Sequence, residues 1–281
     1  MSEERFEFGA NWRRFLETVD EERVAAAIAS LRRLLRVETL AGRRFLDVGS
    51  GSGLFSLAAH RLGATVHSFD FDPQSVACTR EIQSRFAPAA PDWTIEQGSA
   101  LDSGYLDQLE PADVVYSWGV LHHTGEMWRA MDLVRERVAS GGTLAIALYN
   151  DQGEITGRWV GVKRLYQRLP GLLRPLLVGT VGGVMLADRV ARSIAGAFVR
   201  AATLQNPLQP VRQFSRRLAG PEPRGMHRWY DLVDWVGGWP FEVAKPEDVV
   251  DFLSERGFRL RWLTTCGGKL GCNEFVFTRD P

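Results

Sequence analysis

The sequence has little of three features that would each define a class of protein: cysteine, long apolar runs and net charge. Three cysteines among 281 residues are too few, and odd in number, for a disulfide scaffold, and they indicate a reducing compartment. The longest uncharged apolar run, Pro175 to Ala187, has 13 residues, whereas a bilayer span needs roughly 20. The 34 basic and 34 acidic side chains cancel, which argues against a globally basic nucleic-acid binder.

The amino-terminal residues Met1-Ser2-Glu3-Glu4-Arg5 lack the apolar run of a secretory signal. The composition, 45% hydrophobic and 24% charged, is that of an ordinary globular chain. We therefore expect a cytoplasmic protein. A length of 281 residues predicts one α/β domain with an extension or an insertion.

Short apolar runs alternate with helical patterns along most of the chain, which predicts right-handed crossovers and a mostly parallel sheet. A capping box at Thr18 to Glu21 predicts the start of an early helix, and Glu126 to Ala139 is predicted as a later one. About 95 residues after the fifth strand have helical apolar spacing instead. We predict a doubly wound, seven-stranded Rossmann-like sheet and four segments: an amino-terminal helical extension (1–39), an α/β core (40–150), a basic helical insertion (151–243) and the last helix and two strands (244–281).

A glycine-rich loop follows the first predicted strand, in the sequence Asp47-Val-Gly49-Ser50-Gly51-Ser-Gly53. A helix that starts after such a loop offers free backbone N–H groups, and glycines allow a ligand to come close. The spacing of dinucleotide-binding loops requires a third glycine where this sequence has Leu54. A loop that binds another nucleoside cofactor fits better.

Together with later motifs, this loop resembles that of class I S-adenosylmethionine-dependent methyltransferases, in their small-molecule and quinone-methylating branch. The resemblance covers roughly residues 40–150 and 244–279 and rests on four further motifs: Asp70 after the second strand, Gly98-Ser99-Ala100 after the third, Asp113 to His123 around the fourth, and Pro246-Glu247 to Gly257-Phe258 near the end. It implies the fold predicted above and S-adenosylmethionine as cofactor.

The resemblance also implies which residues bind that cofactor. Asp47 and the loop would face its methionyl part, Asp70 would accept hydrogen bonds from both ribose hydroxyls, and Phe71 would flank the adenine. Where the family often has an aspartate, this chain has Ser99, followed by Ala100 and, later, Asp102. Trp118 would pack against the sulfonium or the adenine, although it also suits a hydrophobic core. In the amino-terminal extension, Asn11-Trp12 would close over the cofactor.

Two adjacent histidines, His122 and His123, follow the fourth strand at the edge where such sheets bind ligands. Methyl transfer to oxygen or nitrogen requires loss of a proton, and histidine suits that role near neutral pH. Adjacent side chains point differently, so we expect one base, and the family alignment favours His123. His60, His67 and His227 have no partner evident in the sequence. Further polar candidates lie at strand ends: Tyr116, Tyr149, Asn150 and Asp151. The aromatic residues from Trp229 to Phe241 either wall an acceptor pocket or pack the insertion on the sheet.

Three functions are compatible with these motifs. The first is methylation of a small-molecule, glycan-like or lipid-linked acceptor, mainly at oxygen. The second is methylation of RNA such as tRNA, although Ser117-Trp118-Gly119-Val120 replaces the tetrapeptide by which base-amino methyltransferases hold a flipped base. The third is a regulatory protein that binds the cofactor without catalysis. The two cysteines Cys266 and Cys272 have poor spacing for zinc, so no metal is expected.

The charges are unevenly distributed along the chain. From Arg158 to Arg217 there are eleven basic residues, Lys163, Arg164 and Arg168 among them, and one acid, Asp188. Basic and apolar residues on one helical segment are typical of helices that lie on anionic membranes. The alternative is that these arginines are solvated or pair with the acidic remainder of the chain. The sequence leaves open whether the insertion contacts the inner face of a membrane, the acceptor or the core.

Overall fold

The computed structural model describes residues 6–219, 223–268 and 270–281. Residues 1–5, where the sequence has no secretory signal, and the side chain of Arg217 lie outside this description. Within it, no helix is long and apolar enough to cross a bilayer.

Seven strands form one sheet in the order β3-β2-β1-β4-β5-β7-β6. Strands β1 to β5 are parallel, and β7 runs antiparallel to both β5 and β6. The predicted mostly parallel, doubly wound sheet is confirmed, and its last two strands form an antiparallel hairpin. The strands are β1 (Arg44–Val48), β2 (Thr65–Asp70), β3 (Trp93–Gln97), β4 (Ala112–Trp118), β5 (Val138–Tyr149), β6 (Phe258–Thr264) and β7 (Cys272–Arg279).

Helices cover both faces of the sheet, and the segment after β5 is helical, as predicted. The helices are α1 (Phe8–Leu16), α2 (Glu21–Leu35), α3 (Leu54–Arg61), α4 (Pro73–Phe86), α5 (Ser103–Leu106), α6 (Met127–Arg135), α7 (Glu154–Arg168), α8 (Arg174–Ala202), α9 (Leu208–Ala219), α10 (Arg228–Gly237) and α11 (Pro246–Ser254).

Two helix boundaries differ from the prediction. The N-cap of α2 is Asp20, whose carboxylate accepts from the Arg23 N–H at 2.9 Å, because the Thr18 hydroxyl is bonded to the Phe15 carbonyl instead. Helix α6 ends at Arg135 because β5 already begins at Val138 and pairs there with Ala112.

The sheet separates two hydrophobic clusters. Phe45 of β1 packs with α2, α3 and α4 on one face, and its neighbour Leu46 packs with α5, α6 and α11 on the other. This alternation follows from the period of two along a strand. Both residues are almost fully buried, so β1 is fixed in the middle of the molecule with its carboxyl end at the glycine loop.

A third, smaller cluster holds the insertion together and attaches it to the core. It consists of Tyr166 from α7, Val178 from α8 and Val236 from α10. Lys163 of α7 is fully buried beside it, with its ammonium group 4.5 Å from the Phe241 ring centroid and hydrogen-bonded to the Trp235 carbonyl. Counting Lys163 in a basic surface was therefore wrong, because the aromatic residues around it exclude water.

The arginines of α7, α8 and α9 whose side chains the structure describes form no salt bridge with the acidic core. The salt bridge found among them joins Arg192 to Asp188, one turn apart on α8. The prediction that the insertion presents a cationic surface remains open, whereas pairing with the core has no support in the described contacts.

The buried amine of Lys163 generates a prediction about pH. Burial lowers the pKa of Lys163 from 10.5 to about 7. Between these values the unfolded chain binds more protons, so the contribution of this group to stability increases as pH rises from 7 to 10.5. Lys163→Met removes the contribution. The free energy of unfolding of the wild type minus that of the variant, measured with denaturant, should therefore increase with pH across this window.

Lys245, which is exposed at the start of α11, provides the matched control. The substitution Lys245→Met is expected to leave the difference constant over the same pH range. Parallel stability curves for the wild type and Lys163→Met would contradict the burial of this amine.

Candidate active site

A cavity of about 550 Å³ lies at the carboxyl ends of β1, β2 and β4. The crossover at β1 creates it, because β2 and β4 lie on opposite sides of that strand and their connections leave in opposite directions. Helices α1 and α10 close the cavity from above, since Trp12 and Trp235 both line it. The site is therefore assembled from the core, the amino-terminal helix and the insertion.

The backbone N–H groups of the glycine loop are largely used within the protein. Those of Gly49 and Ser50 donate to the Phe69 carbonyl, that of Gly53 donates to the Ser50 carbonyl, and that of Gly51 donates to the Asp70 carboxylate at 2.9 Å. A pyrophosphate would need such groups free and would face carboxylates here. The loop therefore favours a ligand with a cationic part over a dinucleotide.

The loop glycines are needed for protein packing as well as for backbone conformation. Gly51 has φ +55°, and a Cβ added there would lie 2.9 Å from Nε1 of Trp12. Gly49 has φ +80°, and its Cβ would overlap with the side chain of Val120. The close approach expected for a ligand is made here by two side chains, one of which is Trp12 of α1.

Asp70 lies at the end of β2 with its carboxylate in the cavity. One oxygen accepts from Gly51 and the other from the Asp72 N–H, both at 2.9 Å. These bonds fix the direction of the carboxylate, and each oxygen keeps a further lone pair for a ligand hydroxyl. Burial raises the pKa of Asp70 to about 6.

Asp47 is buried at the end of β1, also on the cavity wall. A chain of hydroxyls points toward it: the Trp93 indole donates to Ser68, Ser68 donates to Ser56, and Ser56 donates to the carboxylate. Burial raises the pKa of Asp47 to about 7. A buried carboxylate with a raised pKa is stabilised in its ionised form by a nearby cation, such as an ammonium group.

Most of the other residues predicted to bind the cofactor line the cavity. They are Gly49, Ser50, Gly51, Phe71, Ser99, Ala100 and Trp118. The side chain of Phe71 is 55% exposed. Asp102 does not line the cavity, because its side chain accepts from the Tyr105 N–H at 3.1 Å and caps α5. Gly53 instead starts α3 and packs against Thr79. The role of each residue in binding stays a prediction.

Arg224 lines the cavity, and the sequence motifs did not point to it. Its guanidinium carbon lies 3.1 Å from the Trp118 ring centroid, and it donates to the Tyr116 hydroxyl at 3.3 Å. The loop that carries it is held by Arg23, which donates to the carbonyl groups of Gly225 and Met226. Arg224 thus places a cation in the same cavity as Asp47. No sequence pattern marks it, because the basic stretch counted in the sequence ends at Arg217.

The two adjacent histidines have different environments. His123 lines the cavity, and its Nδ1 lies 2.6 Å from the Pro240 carbonyl. Since a carbonyl oxygen only accepts, Nδ1 carries the proton and Nε2 keeps a free lone pair. Burial lowers the pKa of His123 to about 3, with a contribution from Lys163, so the ring is neutral at neutral pH.

His122, by contrast, does not line the cavity among the described residues. It is fully buried with its ring centroid 3.8 Å from that of Tyr149, and its Nδ1 accepts from the Tyr149 N–H. Of the two histidines, only His123 lines the cavity. Whether it acts as a base stays a prediction.

Gly238 packs closely against the imidazole of His123. A Cβ added there would lie 2.7 Å from Cε1 of the imidazole. Sequence analysis did not identify this position, because nothing in the local pattern indicates that the glycine contacts a histidine more than 100 residues away.

Aromatic side chains wall the part of the cavity beside His123. Phe8 has its ring centroid 4.8 Å from the imidazole, and Tyr149, Trp235 and Trp239 complete the wall. Asp234 lies among them and accepts from the Asn11 amide at 2.8 Å, which ties α1 to α10. Burial raises the pKa of Asp234 well above its usual range. This half of the cavity is lined mainly by aromatic rings.

The remaining polar candidates have structural partners. Asp151 accepts from the Gly153 N–H and the Thr156 hydroxyl at the start of α7, outside the cavity. His60 contacts Asp92, His67 contacts Glu96 and His227 caps α10, which are partners that the sequence alone does not reveal. The described residues contain no cluster suited to a metal ion.

Part of the chain is similar in sequence to known methyltransferases. The chain is 34% identical over 113 residues to a ribosomal protein L11 methyltransferase of Halorhodospira halophila, across 39% of this chain and 34% of that protein. It is 26% identical over 174 residues to a ubiquinone biosynthesis O-methyltransferase of a Chelativorans species, across 59% and 64% of the two chains. The chain thus spans about a third to two thirds of these relatives.

Among solved structures, the fold is similar to that of magnesium protoporphyrin IX methyltransferase from Synechocystis PCC 6803. The TM-score is 0.52 with 15% identity, over 96% of this chain and 94% of the other. A family model described as a methyltransferase domain matches residues 19–177, more than half of the chain. The chain therefore belongs to the methyltransferase-domain family, in its class I fold, with S-adenosylmethionine as the methyl donor.

Proposed function

We propose that the protein transfers a methyl group from S-adenosylmethionine to a hydroxyl oxygen of a small, largely apolar acceptor, either free or part of a glycan-like or lipid-linked molecule. The observation that carries this proposal is His123, a neutral imidazole whose Nδ1 is bonded to Pro240 and whose Nε2 is free to accept a proton. The similarity to an O-methyltransferase supports the choice of oxygen.

The residues of the cavity fit the cofactor. Asp47 and Arg224, of opposite charge, would hold the ammonium and carboxylate ends of its methionyl part, and Asp70 would accept from the ribose hydroxyls. The cofactor supplies an activated methyl group on a sulfonium, and displacement requires alignment in a site from which water is excluded. Trp12 of α1 covers the loop and contributes to that exclusion.

The lining of the cavity narrows the class of acceptor. A neutral imidazole removes a proton more readily from the acidic hydroxyl of a phenol than from an aliphatic alcohol. The hydroxyl proton would pass to Nε2 as the oxygen–carbon bond forms. The aromatic wall of Phe8, Tyr149, Trp235 and Trp239 suits the flat ring of a phenol.

The first prediction concerns cofactor binding by Asp70. Asp70→Asn keeps one acceptor oxygen but loses the charge, so a charge-assisted hydrogen bond to the ribose is weakened. Calorimetry should therefore show that the affinity for S-adenosylmethionine falls by up to about tenfold. Wild-type affinity should also fall below pH 6, where Asp70 takes up a proton, and the variant should keep only the part of this dependence that arises from Asp47.

Asp102→Asn is the control, because Asp102 caps α5 outside the cavity. Its affinity should equal that of the wild type. If Asp70→Asn binds as tightly as this control, ribose recognition by Asp70 is refuted.

The second prediction concerns catalysis by His123. His123→Ala should lower kcat by roughly 10²–10⁴ and leave cofactor affinity nearly intact, because the base acts on the acceptor. Gly238→Ala should also lower kcat, since its Cβ would lie 2.6 Å from the Asp234 carbonyl oxygen and 2.7 Å from the imidazole, so that α10 or His123 must move. Turnover of simple catechols and other phenols, compared with aliphatic alcohols, is the assay.

The outcomes separate the alternatives. Equal loss of cofactor binding in His123→Ala would make the residue structural. Turnover of RNA with none of phenols would favour the nucleic-acid alternative. Tight cofactor binding without methylation of any acceptor fraction of a cell extract would favour a regulatory protein.

A further inference from the structure

Cys266 and Cys272 lie at the two ends of the glycine-rich link between β6 and β7, and both are thiols in the structure. The hairpin register pairs Thr264 with Glu274. Continued by two positions, the same register places Cys266 opposite Cys272. Opposed residues of an antiparallel pair have Cα atoms roughly 4.5–5.5 Å apart, and a disulfide requires roughly 4.4–6.8 Å. The register therefore brings the two cysteines within bonding range.

The side chains of the two cysteines lie on the same face of the sheet. Trp262 and Val276 oppose each other in this hairpin, and both pack on the cluster formed with α2, α3 and α4. Cys266 comes four residues after Trp262, and Cys272 comes four residues before Val276. Because side chains alternate along a strand, an even spacing keeps both cysteines on that face.

Contacts hold the two chain segments together beyond the last pair of the ladder. The Cys266 N–H donates to the side-chain oxygen of Asn273 at 3.0 Å, and a Cβ added to Gly271 would lie 3.4 Å from Cβ of Cys266. The link itself has room to adjust. Gly267 and Gly268 have φ of +67° and +70°, and among the described residues nothing would lie within 4 Å of a Cβ added to either.

The two thiols have different environments. Cys272 is part of the cavity wall, and burial raises the pKa of its thiol to about 12, so that little thiolate is present at neutral pH. Cys266 does not line the cavity and is half-buried beside the exposed Gly267 and Gly268. A reagent in solution therefore meets Cys266 first.

We propose that Cys266 and Cys272 form a redox modification site that reacts with a low-molecular-weight disulfide such as oxidised glutathione. The Cys266 thiolate attacks one sulfur of that disulfide, and the other glutathione leaves as a thiolate. Cys272 then loses its proton and attacks the Cys266 sulfur, which releases the second glutathione. Two protein thiols are thus oxidised to one disulfide, and one glutathione disulfide is reduced to two thiols. In reducing compartments disulfides are mainly of this transient kind.

The position of Cys272 connects this site to the cavity. Cys272 is paired with Tyr149 of β5, and both residues line the cavity. The charge of Arg224 also acts on the Cys272 thiol. A bond to Cys266 would fix this sulfur and remove its S–H donor from the wall, so the wall would differ between the reduced and the oxidised protein.

The test is equilibration of the native protein, and of the protein unfolded in urea, with mixtures of reduced and oxidised glutathione. The equilibrium constant for disulfide formation should be larger for the native protein by about tenfold or more, because the register holds the two sulfurs together. Trypsin cleaves after Lys269, so the bond joins two otherwise separate peptides, residues 262–269 and 270–279. Mass spectrometry detects the joined peptides, and dithiothreitol should separate them.

The matched control moves one thiol by a single residue. In Cys266→Ser with Thr265→Cys, the new thiol is exposed on the opposite face of the sheet, so it should join Cys272 in urea and not in the native protein. Cys78→Ala removes the buried thiol of α4 and should leave disulfide formation unchanged. Cys272→Ser should stop at a glutathione adduct on Cys266. Thermal melting should show that each variant is folded.

Three results would overturn the proposal. One is an equilibrium constant that is no larger for the native protein than for the protein in urea. Another is a glutathione adduct on Cys266 of the wild type that persists without the joined peptides. The third is equal disulfide formation by the native protein with the shifted thiol. None of these readouts involves methyl transfer, so failure here is independent of the proposed function.

Discussion

The position of β1 between β2 and β4 is the constraint on which the site depends. Parallel pairing on both sides aligns Asp47 with Ser68 and with Tyr116, so the three strands end at the same edge of the sheet. The glycine loop, the Asp70 carboxylate and the turn that carries His123 lie directly at these ends. Because Phe45 and Leu46 fill opposite faces of the sheet, a shift of β1 by one residue would exchange both cores. The packing that fixes the register of β1 in the core therefore also fixes the position of the cavity.

Much of this core could be predicted from the sequence, since apolar runs, glycines and N-caps act locally. Such local patterns set the bounds of β3 and β4. They also place Asp70 at the end of β2. The distinction between His122 and His123 is not local, because it depends on how one short turn meets Pro240 and Tyr149. Arg224 and Gly238 were missed for the same reason: each acts through a contact with a distant segment.

Counting charges along the sequence misassigned Lys163 to the surface. In the sequence Lys163 belongs to a basic run, but in the structure it is buried among Tyr149, Trp235 and Phe241. There its charge contributes to the low pKa of His123. The arginines of α8 and α9 remain on the surface because no aromatic cage surrounds them. A charged residue's function in this insertion is thus decided by its neighbours in space, which periodicity alone does not provide.

The hydrogen bonds that close the cavity join positions very far apart in the chain. Asn11 reaches Tyr230, 219 residues away, and Arg23 reaches Met226, 203 residues away. Such contacts form against a large loop-closure entropy and contribute nothing until most of the chain is ordered. A nascent chain that has emerged only as far as β5 would contain every glycine and aspartate of the motif, yet have neither Arg224 nor the wall of α10. The closed cavity would thus be complete only after α10 has been synthesised and has packed on α1.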